Sequence, residues 1–457
     1  MRKYLLLSFL LFISVGSFSQ LTEDESKVND STTNTSAFEK MKNSEKPLLR
    51  FVGKTAEVII DDWVPLGNPE TNKFDFGRLQ TIPTYNPVEG VRLRAGIASN
   101  TRLHPNLFVK GYVAYGFRDQ RFKYRGEAAW SFNDPVYHDE EFPKNNLRLI
   151  YENDIYSPGE MHPRALNDRL LITYSRSKNA MLYRNFTELN YEKETLGALA
   201  YTLWVRRSEM NPAEGLSFIP ITAGEAAATV ENLITSDVGI TLRYAFDEEY
   251  DQYKRRKKST TMQSPVLFLS HTIGLNDFLG SEVSYHRTEF SAQKRFVLGT
   301  IGRIDAVGEV SKIWNSVPFP LLTYNNQRYR HLIENTAFHL NHAFEFVADE
   351  IYTARATFVG DDLLFSKVGF LNKLQIRELL TVRASYGRLS DKNDPMQRNG
   401  LYQFPQGAFE YGSAPYVEGT IGITNILGLL RVEYVHRFTY RDHPDALLGK
   451  VRIDVTL

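Results

Sequence analysis

Residues 430–440 read LRVEYVHRFTY, and residues 451–457 read VRIDVTL. In the first stretch apolar and charged residues alternate, and in the second the apolar positions are Val451, Ile453, Val455 and Leu457. Alternation with a period of two predicts β-strands with one apolar and one charged face. A carboxyl-terminal strand of this kind closes an outer-membrane β-barrel, where lipid covers the apolar face and the lumen takes the charges. We therefore predict two or three strands within Val417–Leu457.

The composition agrees with a barrel and excludes several other classes. The chain has 457 residues, no net charge and no cysteine, and it contains 25 Tyr, 29 Phe and 4 Trp. Zero net charge gives no reason to expect a nucleic-acid partner. Without cysteine, disulfides, thiol chemistry and lipoprotein anchoring are excluded. The many aromatic residues suit the two aromatic girdles of a membrane barrel.

The chain divides into three predicted parts. Residues 1–19 carry Arg2 and Lys3, then the apolar run Leu5–Val15, then small residues before Gln20, which is the pattern of a cleaved signal peptide. Residues 20–50 are polar and are predicted to be a disordered periplasmic segment. Residues 51–457 are predicted to form the transmembrane barrel. We expect no transmembrane helix and a location in the cell outer membrane.

Alternating segments recur along the predicted barrel, and we expect 14 to 16 antiparallel strands because bacterial single-chain barrels use even numbers. The alternative that fits the same alternation is a secreted soluble β-sandwich. Besides the closing strands, the candidate segments are residues 55–60, 91–97, 107–118, 121–130, 147–154, 181–191, 196–206, 238–246, 265–274, 282–290, 295–304, 338–346, 351–359 and 379–388.

The connections differ in length, and barrels of this class keep their short turns on the periplasmic side. We expect the turn Arg118–Gln120 to face the periplasm and four longer connections to be surface loops, at residues 133–145, 208–235, 247–262 and 390–415. The segment Val307–Asn335 fits neither size. It is either a plain surface loop or a loop folded into the lumen, with the candidate inward residues Trp314, Pro318 and Pro320.

The charged faces of the strands are predicted to line the lumen. The expected lumen-lining charges are Arg92, Arg94, Lys123, Arg125, Glu127, Arg243, Arg383, Arg431, Glu433 and Arg437. In a narrow lumen they would pair across neighbouring strands, because an unpaired charge there costs several kcal/mol. In a wide lumen the same arginines would form an anion-preferring lining.

No motif fixes a reaction or a cofactor, so we predict no catalytic and no metal residues. His331 and Glu334 with His339 and His342 could share a metal ion only if the segment were helical. The acidic run after His138 could bind calcium, although a solvated loop explains it as well. The basic run Lys254–Lys258 is either a solvated tip or a contact for lipopolysaccharide phosphates.

Several blocks of the sequence resemble an outer-membrane family of unknown function that is common in Bacteroidota. The resemblance is placed mainly on the last third of the chain, and its blocks are YNPVEGVRLR from Tyr85, Pro318–Leu322, AFEFVAD from Ala343, LNKLQIRE from Leu371, PYVE from Pro415, GITNI from Gly422, LRVEY from Leu430 and YRDHP from Tyr440. The longer members begin with a carboxypeptidase-like regulatory domain, which we do not expect here. His436 stands where the family tends to have Trp, and Leu457 where it tends to have Phe. The resemblance implies a barrel with no assigned ligand or reaction.

The expected function is passage of a solute or segment through the envelope, or help in outer-membrane assembly. Two alternatives remain. One is a barrel-embedded lipid-modifying enzyme, for which His286 with Ser284 or Ser270 is the best available pair. The other is a scaffold that docks envelope partners. The expected partners are outer-membrane lipid, lipopolysaccharide and the outer-membrane assembly machinery.

Overall fold

The computed structural model describes residues 63–157, 180–222, 225–248, 250–253, 256–259, 263–326, 337–361, 365–369, 376–426 and 430–455. Short 3-10 turns occur at Leu79–Thr81, Gly299–Ile301, Phe319–Leu321, Phe365–Lys367 and Asp391–Asn393. All other regular structure in these ranges is extended, and the strands are β1 (Trp63–Pro65), β2 (Phe74–Gly77), β3 (Thr84–Asn86), β4 (Gly90–Ser99), β5 (Leu107–Gly116), β6 (Phe122–Ser131), β7 (Asn145–Tyr156), β8 (Leu182–Glu194), β9 (Leu199–Pro212), β10 (Ile221–Thr222), β11 (Glu225–Ala226), β12 (Leu233–Ala245), β13 (Tyr250–Tyr253), β14 (Arg256–Ser259), β15 (Val266–Gly274), β16 (Tyr285–Val297), β17 (Gly302–Ile313), β18 (Glu350–Gly360), β19 (Arg377–Arg388), β20 (Tyr416–Ile426), β21 (Leu430–Arg437) and β22 (Gly449–Val455).

Eighteen of these strands form one antiparallel β-barrel, in which each long strand from β4 onward pairs with the next long strand of the chain. The main sheet has 18 strands, and β10–β11 and β13–β14 are separate two-stranded hairpins. Three strands of the sheet, β1, β2 and β3, have only three or four residues, and β2 and β3 both pair with β4. The other fifteen run from β4 to β22 in consecutive antiparallel pairs. The fifteen long strands of the described part fall within the predicted 14 to 16, but their number is odd, and the sheet has 18 strands when the three short ones are counted. The predicted strand at residues 55–60 lies outside the described part.

Burial in this sheet is the reverse of that in a soluble protein. In β6 every second residue is buried, and the buried ones include Lys123, Arg125 and Glu127. The residues between them are exposed, with Phe122 at 66% and Trp130 at 44% of their full exposure. Because side chains alternate across a strand, the charged face must point into the barrel and the apolar face outward. The predicted alternation of faces is thus present in the fold.

Exposed aromatic side chains gather at both ends of the strands. At one end they are Phe117, Phe122, Trp314, Tyr352, Tyr386 and Phe438. At the other end they are Trp130, Phe132, Tyr244, Phe246 and Phe296. Two such belts, separated by exposed Val, Leu and Ile, are the arrangement by which membrane barrels match the two lipid–water interfaces.

Two of the predicted strands are wrong, and each has a local reason. The segment 295–304 crosses the turn between β16 and β17. The residues on both sides of this turn alternate between polar and apolar, so the sequence reads as one strand. The segment 338–346 is irregular, because its polar and apolar groups are buried against other parts of the barrel interior rather than in a ladder. In addition, β17 extends to Ile313, so most of the first part of Val307–Asn335 is strand.

The sorting of connections by length is also wrong. The short turn Arg118–Gln120 follows β5. The long β9–β12, β17–β18 and β19–β20 connections follow strands that run in the same direction as β5, so they lie at the same end of the barrel. The long connections at residues 133–145 and 247–262 lie at the opposite end. Each end therefore carries both short and long connections. Of the basic run Lys254–Lys258, the last three residues lie in β14 within the β12–β15 connection, and Lys254 and Arg255 lie outside the described residues. None of the described segments is a helix that is long and apolar enough to span a membrane.

Candidate functional site

The barrel encloses a cavity of about 810 Å³. Its wall comes from the inner faces of β4 to β9, β12 and β15 to β18, so it is the lumen itself rather than a surface cleft. Charged side chains of both signs line it, together with aromatic rings such as Tyr112, Phe186, Trp204 and Tyr285. Of the predicted lumen-lining charges, Arg92, Arg94, Arg125, Glu127 and Arg243 lie on this cavity.

Arg92 is the centre of a buried network that crosses several strands. Its guanidinium holds both oxygens of Asp154, with Nη1–Oδ1 at 2.6 Å and Nη2–Oδ2 at 2.9 Å, although Asp154 lies three strands away on β7. Arg92 also reaches Glu89 at 3.1 Å, and Tyr112 donates to Asp154 at 2.5 Å. The bidentate contact therefore spans the inner faces of β5 and β6 and ties two non-adjacent strands of the wall together.

The side chain of Lys123 reaches Glu89, the same carboxylate that Arg92 contacts, and is almost completely buried. Its ammonium lies 2.9 Å from Glu89 Oε1 and 2.5 Å from Asp119 Oδ2. Asp119 belongs to the short turn before β6, and its Oδ2 also accepts a hydrogen bond from the Tyr183 hydroxyl at 2.9 Å. The turn is therefore tied to the barrel interior by a buried ion pair.

Arg125 and Glu127 form a second network next to the first. Arg125 donates from Nε to Glu127 at 2.5 Å and from Nη1 to Glu152 at 2.6 Å. Glu127 also accepts from Arg148 at 3.1 Å and lies 3.3 Å from Lys110. Both β6 and β7 carry charges of both signs, so each charge is neutralised by neighbours on its own strand and on the adjacent strands, as expected for charges held away from water.

The acidic segment after His138 has a structural use, which corrects the calcium and solvated-loop readings alike. Asp139 is buried and lies 2.9 Å from Arg148. Glu140 lies 3.2 Å from Lys110, and this lysine holds the pKa of Glu140 well below its usual range. Glu141 accepts backbone N–H groups of its own loop, including that of Tyr137 at 2.7 Å. All three carboxylates thus form ion pairs or hydrogen bonds with other groups of the protein.

Of the remaining predicted charges, Arg431, Glu433 and Arg437 lie on β21 and form a separate cluster, which does not include Arg383 of β19. Arg437 has no exposed surface, and it donates to Glu345 from Nη1 at 3.2 Å and from Nη2 at 2.5 Å. His443 contacts the same carboxylate at 2.9 Å. Arg431 and Arg452 both pair with Glu433, the latter at 2.8 Å.

Glu345 belongs to the β17–β18 connection, so this cluster joins an inserted segment to the wall. The adjacent wall carboxylate Glu418 is fully buried and accepts the backbone N–H groups of His339 at 3.0 Å and Leu340 at 2.7 Å. Residues 337–349 therefore fill the lumen beside β19 to β22. Burial and the nearby Arg452 hold the pKa of His339 well below its usual range.

An apolar plug lies in the lumen at the end where β17 stops. We use "plug" for the described parts of three connections, residues 213–222 and 225–232, 314–326 with 337–349, and 389–415. Their side chains form one buried cluster with the strand ends, and its plug members are Leu216, Phe218, Val317, Phe319, Leu321, Leu322, Phe344, Val347 and Tyr402. The rings interlock, with Phe218 stacked on Tyr402 at 5.0 Å and Phe319 edge-on to Phe344 at 5.3 Å. The plug thereby forms the floor of the cavity.

The residues considered for an inward loop separate into two groups. Pro318 and Pro320 are buried, and Pro320 lines the cavity together with Leu321 and Leu322. Trp314 is 54% exposed and lies on the outside, where its Nε1 donates to Thr288 at 2.9 Å. The chain therefore turns inward after Trp314.

Neither the candidate metal set nor the candidate pair Ser270–His286 is brought together in the described residues. No group of three His, Asp or Glu side chains arranged to hold a metal occurs among the described residues, and His331 and Glu334 lie outside them. Ser270 faces the lumen, whereas His286 alternates with the lumen-facing Tyr285 and Arg287 and so points to the outer face. The Ser270–His286 pairing is therefore wrong.

The other predicted residues are placed as follows. Arg94 stacks on Tyr112, with 3.7 Å between the guanidinium carbon and the ring centre, and Arg243 pairs with Glu248 at 2.5 Å. In the last strand Val451 and Ile453 are exposed on the outer face, while Leu457 lies outside the described residues. The sequence analysis missed the partners Glu89, Lys110, Arg148, Glu152, Asp154 and Glu345. Alternation along the predicted strand 147–154 puts Arg148, Glu152 and Asp154 on its inner face and could have identified these three.

Comparison with known proteins gives a family but no activity. The model described as "Family of unknown function (DUF5686) C-terminal domain" matches residues 67–391. The chain belongs to this family. The sequence resemblance lies mainly in the last third of the chain. The family match, in contrast, begins at residue 67 and ends before β20.

No curated protein matches the chain. Among solved structures, BamA from Haemophilus ducreyi lacking POTRA domains 1-3 has a TM-score of 0.48 and 10% sequence identity, covering 93% of this chain and 81% of that chain. A likeness of this size is too weak to support a statement about function.

Proposed function

We propose that this DUF5686 protein is an outer-membrane β-barrel that admits a polar solute into its lumen and passes it only when the plug moves. The observation that carries the proposal is the pairing of a polar, charge-lined cavity with an apolar floor built from three connections. A closed barrel with a purely structural interior would need no cavity of this size.

The membrane location rests on the outer face. Exposed Val, Leu and Ile cover the middle of the strands, and aromatic residues form a belt at each end. Such a surface would be unfavourable in water and is stable in hydrocarbon. We propose export through the signal peptide at residues 1–19, insertion by the outer-membrane assembly machinery, and contact of the outer face with lipid and lipopolysaccharide.

The lining of the cavity indicates the class of solute. Both signs of charge are present, many charges are already paired, and aromatic faces lie between them. Paired charges and rings bind polar solutes without the strong selectivity of a ring of like charges. The proposal assigns no reaction to the barrel.

Loosening the plug is expected to open the lumen. Phe319 is 1% exposed and contacts three aromatic rings of the plug cluster. Phe319→Ala should remove about 3–5 kcal/mol of packing from the closed arrangement. In planar bilayers we expect rare openings for the wild-type protein and at least a tenfold higher open probability for the variant.

The matched control is Phe438→Ala, the same substitution at the same end of the barrel. Phe438 is 58% exposed on the outer surface, so it should leave the open probability unchanged. A large steady conductance in the wild-type protein would contradict the proposal. The absence of channel openings in Phe319→Ala would also contradict it and would favour a closed scaffold.

A further inference from the structure

Two arginines face each other on the inner wall, outside the networks described above. Arg355 of β18 and Arg383 of β19 are directly opposite in the antiparallel ladder. Both are buried, at 7% and 3% exposure, and the alanines on either side of Arg355 point outward. Opposed residues on one face of a sheet have their Cβ atoms about 4.5–5.5 Å apart, and like charges at such positions repel.

Neither guanidinium has a carboxylate partner among the residues that the structure describes. Arg383 donates from Nη1 to the hydroxyl of Thr420 at 2.8 Å. The Nε atoms of both arginines are buried without an acceptor. A buried cation with unused donors is costly unless another group supplies the missing acceptors.

The carboxylates near the pair are Asp305, Glu309, Glu418 and Glu433, and each has another partner. Glu309 accepts from the Thr353 hydroxyl at 3.2 Å. Asp305, on the neighbouring strand β17, is held by Arg295 through two bonds of 2.6 and 3.0 Å. Glu418 accepts the backbone of the plug, and Glu433 is shared by two other arginines. The wall around Arg355 and Arg383 therefore carries an excess of positive charge.

Hydroxyl groups lie next to the arginine pair. Thr357 and Thr381 occupy inward positions of the same two strands, and their hydroxyls are 3.0 Å apart. One hydroxyl donates to the other, so the second keeps a proton for a further acceptor. Guanidinium groups and hydroxyls together are the donor set that recognises tetrahedral oxyanions.

We propose that Arg355 and Arg383 form a binding site for a phosphate-type oxyanion on the inner wall of the barrel. The bound anion supplies the acceptors that both guanidiniums lack and separates their charges. This site goes beyond the proposed passage of solute, because it does not require the plug to move. Its ligand is either free phosphate or the phosphate head of a lipid.

Calorimetric titration of the full-length protein in detergent, prepared without phosphate, tests the site. Inorganic phosphate is expected to bind one site in the wild-type protein and at least tenfold more weakly in Arg355→Met. Arg118→Met removes the same charge from an exposed turn and should leave the affinity unchanged within twofold. A parallel titration with dihexanoyl phosphatidic acid identifies the source, since a lipid site would bind this probe more tightly than inorganic phosphate.

Thermal unfolding separates a ligand site from a structural role. Phosphate should raise the Tm of the wild-type protein and not that of Arg355→Met or Arg383→Met. In phosphate-free buffer Arg355→Met should melt no lower than the wild-type protein, because it relieves a repulsion. The proposal is overturned if neither probe binds the wild-type protein, which would mean that only water lies between the arginines. It is also overturned if Arg355→Met binds phosphate as tightly as the wild-type protein does, because the anion would then bind elsewhere.

Discussion

Replacing Arg437 with Met is expected to lower the free energy of unfolding by about 3–5 kcal/mol, because it leaves a buried carboxylate without its cation. Arg437 has no exposed surface, and its two Nη atoms hold both oxygens of Glu345. Nη2 also donates to the carbonyl of Tyr440 at 2.5 Å. The variant therefore loses the link between the wall and the segment 337–349. Urea unfolding of the protein in detergent micelles, followed by tryptophan fluorescence, measures the change.

The double variant Arg437→Met with Glu345→Met is the control. A buried ion pair replaced on both sides by apolar groups of similar volume is often tolerated with little loss of stability. We expect the double variant to regain more than half of the stability that Arg437→Met loses. A loss below about 1 kcal/mol in the single variant, the range of exposed ion pairs, would show that this pair is not buried in the folded protein.

Placing a charge on the outer face is expected to have the second large effect. Val113 lies in the middle of β5 and is 53% exposed. Val113→Arg should cost about 2–4 kcal/mol if that face lies in hydrocarbon. The free energy of unfolding in lipid bilayers, measured by urea titration, gives the cost directly.

Val136→Arg is the matched substitution outside the strands. Val136 is 86% exposed in the β6–β7 connection, and substitutions at such positions usually change stability by less than about 0.5 kcal/mol. In a water-soluble protein both exposed valines would tolerate arginine equally. Equal and small effects at the two positions would therefore contradict a membrane-facing surface.

The faces of the strands could be predicted from the sequence because they depend on a local rule. A period of two assigns each residue of a strand to one side of the sheet, whatever its neighbours are. This rule assigns Lys123, Arg125 and Glu127 to one face of their strand, and all three are buried in the structure. The number of strands followed from the same rule.

The partners of these charges could not be predicted in the same way. They depend on strand register and on chain segments that fold into the lumen from far away in the sequence. Glu345 meets Arg437 from a separation of 92 residues. The segment around Glu345 alternates polar and apolar residues as a strand does, yet it is irregular because the wall supplies its hydrogen-bond partners, as Glu418 does for His339.

The outer surface of β6 offers the most direct test of the central claim, that lipid covers the apolar face. Ala128 and Ala129 are consecutive and chemically identical, but Ala128 is exposed on the outer face and Ala129 is 2% exposed on the inner face. Because the chain has no cysteine, Ala128→Cys and Ala129→Cys can each carry a single nitroxide label. In lipid bilayers, relaxation by oxygen, which concentrates in hydrocarbon, should be strong for the label at position 128 and weak for the label at position 129. Equal relaxation at both positions, or strong relaxation of the label at 128 by a water-soluble nickel complex instead of oxygen, would contradict the account.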